Sequence, residues 1–367
     1  MIESPIKSHL VSQNRNYRKH YKRISRKLVT NFTRDLSIML NSGLLLVDSI
    51  NILIQQTTHE PFRQILQDIG KKLKSGANFA DCLKSYPTIF NTFYIHMVDV
   101  GELTGKLDQM LQRVAVYLDK MANTKRKLIQ ALTYPTLVIG VALFSLVFIM
   151  IYVIPIFADV FKEFGAELPW QTLLLISISN FIYAHALYIL VGFMVGIFVL
   201  KYIKSFQKVR IFFDNFTLNI PLVGEIIRKN YISQFCRTLG TLLESGIPLL
   251  QGLDISIRAI QNHLIQQDIL KMKSFAMQGE KLTYSLKHSK IFPLMVIQMI
   301  AVGEETAELP SMLIRISDFY DREIDSTIET LASIIEPIVI IVLGIIIGAI
   351  LISIYLPLFN LSNAMTG

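Results

Sequence analysis

Only two of the 367 residues are cysteine, Cys82 and Cys236. Two distant thiols cannot build a disulfide framework or a thiolate metal site, and both are expected as buried, reduced thiols. The seven histidines (9, 20, 59, 96, 185, 263 and 288) are scattered without ligand spacing. His59-Glu60 lacks the following His that a zinc-protease helix needs. No Gly-x-Ser-x-Gly occurs, which removes the hydrolase elbow. Gly101-Glu102-Leu103-Thr104-Gly105-Lys106 starts like a phosphate loop, but its glycines are one residue too close and Leu107 follows Lys106 where Ser or Thr is required. No catalytic residue, metal site or cofactor is expected.

Charge is also scarce. Asp, Glu, Lys and Arg make up 17% of the chain against 52% hydrophobic residues, and the mean hydropathy is +0.45. The apolar excess sits in three charge-free blocks, Thr136–Ala158, Gln171–Leu200 and Pro337–Phe359. Each exceeds the roughly 20 helical residues that cross a hydrocarbon core of about 30 Å. Inside them only His185 is ionisable, and it has no acid to pair with, so a proton relay lacks its parts. No signal peptide is visible: residues 1–27 hold eight basic residues, one acid (Glu3) and no apolar core.

The net charge of +8 is unevenly placed. Lys and Arg number 20 in residues 1–133, one in 159–170 and 15 in 201–333, with none after Arg322. The positive-inside rule therefore puts the first and third segments in the cytoplasm and the acidic loop and tail outside. The expected order is a basic tail (1–29), a first cytoplasmic helical domain (30–130), a span (134–158), a short outer loop (159–170), a second span (171–200), a second cytoplasmic domain (201–333), a third span (336–359) and an outer tail (360–367). For the basic tail, with Tyr17 and Tyr21 among its charges, three readings stand: a solvated arm, a tether to anionic lipid, or a nucleic-acid contact. The nearby membrane anchor favours lipid over nucleic acid, and no nucleic-acid partner is expected.

No segment alternates with the period of a strand, so the fold class is an all-α membrane protein. Thr30 or Asn31 is placed to cap a helix with Phe32, Leu36, Met39 and Leu40 on one face. Gly43 ends it, Pro61 opens a later helix, Gly76 marks a turn, and a helix from about Leu107 runs without a strong stop into the first span.

The chain then repeats itself. Phe32, Arg34, Leu36, Leu40, Ser42 and Gly43 return as Phe235, Arg237, Leu239, Leu243, Ser245 and Gly246, offset by 203. After the loss of one residue, Val100-Gly101-Glu102 and Leu107 return as Val302-Gly303-Glu304 and Leu309, and Pro135 and Pro155 as Pro337 and Pro357, offset by 202. This is duplication: two homologous helical bundles, each feeding one span, with the middle span returning the chain to the cytoplasm.

The repeated residues are the candidate sites. Gly43 and Gly246 either end helices or present a corner to a partner. Gly101 with Glu102 and Gly303 with Glu304 place carboxylates for helix capping or surface solvation, with cation binding as the weaker alternative. Tyr134-Pro135 and Glu336-Pro337 stand at the entrances to the first and third spans. Glu336 snorkels to the interface or is held by a partner. Gly192 with Gly196, and Gly344 with Gly348, form Gly-x-x-x-Gly patterns suited to packing between spans or subunits.

Ala131-Leu132-Thr133-Tyr134-Pro135, the Phe161, Gly165, Glu167-Leu168-Pro169 loop and the two Gly-Glu boxes resemble the type II secretion F / PilC family. These are platform proteins of the bacterial inner membrane. The resemblance covers residues 30 to 360 and implies two cytoplasmic domains of about six helices, three transmembrane helices, a cytoplasmic N-terminus, an outer C-terminus and homo-oligomerisation. It also implies contact with a hexameric cytoplasmic ATPase, with pilin or pseudopilin subunits and with other inner-membrane assembly proteins. The second Gly-Glu box departs from the first, reading Glu305-Thr306-Ala307-Glu308 where the first has Leu103-Thr104-Gly105-Lys106. The rival class is a small membrane transporter or channel with an internal repeat, for which the spans and buried polar groups are too few.

Overall fold

A computed structural model describes residues 24–156, 170–203, 223–260, 262–287, 289 and 291–366, and among these it is helical, with no strand. Most of the basic tail and the acidic loop with its Gly165-x-Glu167-Leu168-Pro169 sequence lie outside the described residues.

Helix α1 (Arg26–Asn41) begins earlier than the sequence pattern indicated. Ser25 is its cap, accepting from the Leu28 amide at 3.3 Å, while the Thr30 hydroxyl donates to the Arg26 carbonyl inside the helix. The reason is packing: Val29 is buried and Ile24 and Leu28 lean on the core, which holds an extra turn that polarity alone would leave frayed. α2 (Leu46–Gln56), α3 (Glu60–Lys74, with Pro61 in its first turn), α4 (Phe79–Lys84), α5 (Thr92–Thr104) and α6 (Leu107–Phe148) follow. A π-helical turn, Ile149–Val153, continues α6. After α7 (Trp170–Ile203) the pattern recurs as α8 (Val223–Glu244), α9 (Leu249–Ala259), α10 (His263–Met277), α11 (Leu282–Leu286), α12 (Leu294–Glu305) and α13 (Leu309–Thr366).

The chain forms two compact units. One combines residues up to Arg126 with Thr217–Ile324, and the other Lys127–Phe216 with Asp325–Gly367. The first holds the helical-bundle part of both copies of the repeat. Each copy has a core built on the same pair of rings: Phe32 and Phe90 with centroids 6.3 Å apart, Phe235 and Phe292 at 5.7 Å. Such ring pairs contribute about 0.5–1.5 kcal/mol beyond their buried area. In the first copy Thr33 and Tyr94 bury a mutual hydrogen bond of 3.0 Å. Their counterparts are Cys236 and Val296, both buried in the second core. A polar pair in one copy is thus an apolar pair in the other, which accounts for Cys236 as packing. Burial pushes the thiols of Cys82 and Cys236 above their ordinary values.

The helical runs Leu107–Ile156 and Leu309–Ser353, which end in the second unit, contain stretches long and apolar enough to cross a membrane. Large apolar side chains on them are open in the isolated chain, Phe144 and Ile345 among them. Met150, Ile154 and Ile350 form a small buried cluster against Ile176 and Ile346. The π-turn shifts the backbone bonding there, and the Ser179 hydroxyl of α7 donates to the Met150 carbonyl. A backbone group in an apolar setting is costly unless paired, so this bond ties α7 to the turn.

One ion pair also recurs. Arg34 of α1 meets Asp119 of α6, and Arg237 of α8 meets Asp321 of α13 at 2.7 Å and Asp318 at 3.0 Å. The first pair is about half exposed, whereas the Arg237 side chain is 6% exposed. An exposed pair contributes up to ~1 kcal/mol, and breaking a buried one costs ~3 kcal/mol or more. Arg237→Met is therefore expected to destabilise the protein by about 3 kcal/mol and Arg34→Met by under about 1 kcal/mol. Thermal unfolding of the full chain in detergent checks the ranking.

Candidate functional site

The Gly-Glu boxes form one corner, built twice. Helix α4 starts at Phe79, but its cap residue Asn78 makes no side-chain capping bond. Glu102 of α5 fills that place from 22 to 23 residues away, its carboxylate accepting from the Phe79 amide at 2.6 Å and the Ala80 amide at 2.8 Å. In the second copy Lys281 likewise leaves α11 uncapped, and Glu304 accepts from the Leu282 amide at 2.6 Å and the Thr283 amide at 3.4 Å. A carboxylate at a helix N-terminus satisfies orphan donors and meets the positive end of the dipole. Both carboxylate oxygens of Glu102 are engaged with backbone, which favours capping over a cation for this residue.

The neighbouring glycines serve the same corner. A Cβ on Gly101 would lie 2.9 Å from the Leu107 Cα, and one on Gly303 would lie 3.0 Å from the Leu309 Cα. These contacts bring α5 against the start of α6, and α12 against the start of α13, closer than any side chain allows. Gly105 makes the turn with φ +68, and Ala307 holds the matching conformation at φ +56. Gly43 and Gly246 end α1 and α8 at φ +84 and +83, so the Ser-Gly turns are helix terminations of one geometry.

The two copies also grip one another. The Tyr117 hydroxyl of α6 lies 3.1 Å from the Thr238 hydroxyl of α8, and Arg113 donates to the Ser245 hydroxyl at 3.1 Å with Glu244 at 3.7 Å. Lys120 lies 3.5 Å from Asp318. Leu242, Ile247 and Ile255 of the second copy are buried within the core of the first. Helix α5 touches α9 in the same zone. There burial pushes the His96 imidazole below its ordinary value, and Lys84 and Arg258 add to the effect.

At the start of the apolar runs Pro135 is buried inside α6, which stays helical across it, and Tyr134 is 59% exposed. Glu336 and Pro337 are exposed within α13. A Cβ on Gly192, Gly196, Gly344 or Gly348 would meet nothing within 4 Å. The close approach that a Gly-x-x-x-Gly stripe permits is thus not made among the described residues of one chain. Sequence reasoning did not pair Arg34 with Asp119 or Arg237 with Asp321. The signal was present, since both the arginines and the aspartates recur in register.

The model of the family described as type II secretion system (T2SS), protein F matches this chain twice, over residues 32–155 and 235–357. The chain belongs to that family. The limits of the two matches fall on Phe32 and Phe235, and on Pro155 and Pro357, the bounds of the internal repeat. The type IV pilus assembly protein PilC of Myxococcus xanthus is 36% identical over 91% of this chain and 80% of its own length. The PilC of Pseudomonas aeruginosa is 34% identical over 91% and 90%. The type II secretion system protein F of Vibrio cholerae is 28% identical over 91% and 82%. The apolar helices agree with a membrane protein of this family.

The corner geometry has a direct consequence. Glu102→Ala is expected to cost about 1–2 kcal/mol, and Glu304→Ala less because its second bond is long. Gly101→Ala is expected to cost about 1–3 kcal/mol, since the added carbon meets backbone. Thermal unfolding with calcium and with a chelator checks this; a loss seen only when calcium is present would return Glu102 to cation binding.

Proposed function

We propose that the protein is the inner-membrane platform of a type IV pilus or type II secretion machine. In this reading it couples a hexameric cytoplasmic ATPase to the insertion or extraction of pilin or pseudopilin subunits and performs no chemistry itself. The observation that carries it is the duplication: each copy of one helical domain ends in a helix that goes on into a charge-free run, α6 from the first and α13 from the second. The names of the relatives give the machines.

The proposal includes two six-helix cytoplasmic domains and three transmembrane helices, α7 being the second. The N-terminus is cytoplasmic and the C-terminus outside, as the Lys and Arg bias requires. The basic tail and the first domain face the ATPase, and the chain associates with itself and with other inner-membrane assembly proteins. Helices bend little except at prolines and glycines, so a helix shared by domain and span carries a tilt from one to the other. Pro135 and Pro337 set that tilt.

Loss of the gene in its own bacterium is expected to abolish surface filaments or pseudopilus-dependent secretion while leaving the assembly ATPase at normal levels. Intact filament output and intact secretion would overturn the proposal. Reporter fusions after residues 130 and 330 are expected to read as cytoplasmic. Pro337→Ala is expected to lower filament or secretion output with the protein still inserted, and unchanged output removes the proline from the account.

A further inference from the structure

The contact between the two copies is head-to-tail, and it leaves its own two halves open at the ends. Inside the chain, a face of α5 and α6 in the first copy meets a face of α8 and α9 in the second. A two-fold arrangement would also bring the matching face of α12 and α13 against α1 and α2. The structure instead shows the matching residues open. Phe93 and Met97 of α5 are 1% and 0% exposed, but their counterpart Met295 is 40% exposed and Met299 is partly open. Arg113 is half-buried in the contact, whereas Arg315 is exposed. On the other side Thr241 and Ile247 are 8% and 3% exposed, but their counterparts Ile38 and Leu44 are 57% and 43% exposed.

We infer that a second copy of this chain covers these faces, its α12 and α13 docking on α1 and α2 as α5 and α6 dock on α8 and α9 within one chain. Three things on the two faces fit that occupant. Each open face is homologous to one half of an interface that this chain already makes. The apolar residues at its centre, Ile38 and Leu44 on one side and Met295 on the other, are costly to leave in water. The rims are polar: Arg315 and Arg322 stand where Arg113 and Lys120 stand in the internal contact. The opposite face carries one carboxylate, Asp35, where Thr238 meets Tyr117, with Asn41 and Val116 in the places of the internal acids Glu244 and Asp318. A heterologous contact of this kind builds a ring when its rotation closes. The inference gives a surface to the self-association proposed above and does not rest on the ATPase or pilin reading.

The internal contact of Arg113 with Ser245 maps onto Arg315 of one chain and Ser42 of the other, both exposed. Two differently tagged full-length chains, one carrying Ser42→Cys and the other Arg315→Cys, are to be co-expressed in one membrane and treated with a short bismaleimide. Cys82 and Cys236 are buried and supply a silent background, checked with the unmutated chain. The expected product is a two-chain adduct carrying both tags. No adduct, an adduct of Ser42→Cys chains with each other, or an adduct with a different protein overturns the inference. As a second measurement, Ile38→Glu with Leu44→Glu is expected to lower the adduct at least tenfold and to reduce the particle mass in nanodiscs to one chain. Its unfolding temperature should stay unchanged, because both side chains are open in the isolated chain. An unmutated chain that is already a single copy in nanodiscs overturns the inference, whatever becomes of the platform reading.

Discussion

The backbone approach at Gly101 is the constraint on which the domain depends. With Leu107 packed onto the glycine, the start of α6 has no freedom to swing relative to α5, and the residue after the glycine is a glutamate turned back to the uncapped end of α4. One dipeptide thus joins three helices. It does so through backbone atoms on both sides, amides for Glu102 and a Cα for Gly101, so the corner tolerates change in the surrounding side chains. The second copy shows that tolerance. Around Gly303 and Glu304 the following residues differ, the turn glycine has become Ala307, and the corner still closes. What the corner orients is the helix that goes on into the apolar run, so a local packing detail sets the course of the longest element in each copy.

Divergence between the copies separates what holds a domain together from what the domain is for. The ring pair, the Arg–Asp pair, the Gly-Glu corner and the left-handed glycines Gly43/Gly246 and Gly76/Gly279 are retained, and each is internal to a copy. Thr33 with Tyr94 against Cys236 with Val296 is a core exchange in which both partners changed, as burial requires, since an unpaired hydroxyl would cost more than either pair. Arg237 is buried and Arg34 open for a different reason: the first copy lies over the second at that point, with Tyr117 bonded to Thr238 next to the arginine.

Much of this was legible in the sequence. The helices, the turns at Gly43 and Gly246, the duplication and the apolar runs are set by local patterning and by self-comparison within one chain. The remainder depends on contacts that patterning does not report. The first helix was placed five or six residues late because Ser25 caps a turn held by packing rather than by its own composition. The partners of Glu102 are distant in sequence and are backbone atoms, which carry no residue signature. The asymmetry between the copies is invisible in an alignment of one with the other, because homologous residues sit on opposite sides of the contact.

A duplicated domain inside one chain can satisfy its sticky faces in two ways. Two-fold packing uses both copies of each face and leaves none over. Head-to-tail packing uses one of each and leaves one of each. Which residues occupy the leftover faces then depends on how permanent their cover is. Permanent contacts resemble a core cut in half, while contacts made and released are more polar. Here the internal face carries Thr238 and Thr241, neutral and fully covered, and its outer homologue carries Asp35 beside Ile38. A carboxylate next to an isoleucine suits a surface that is open to water in the isolated chain. In the proposed assembly the same ancestral contact is used twice, fully buried within the chain and more polar at its ends.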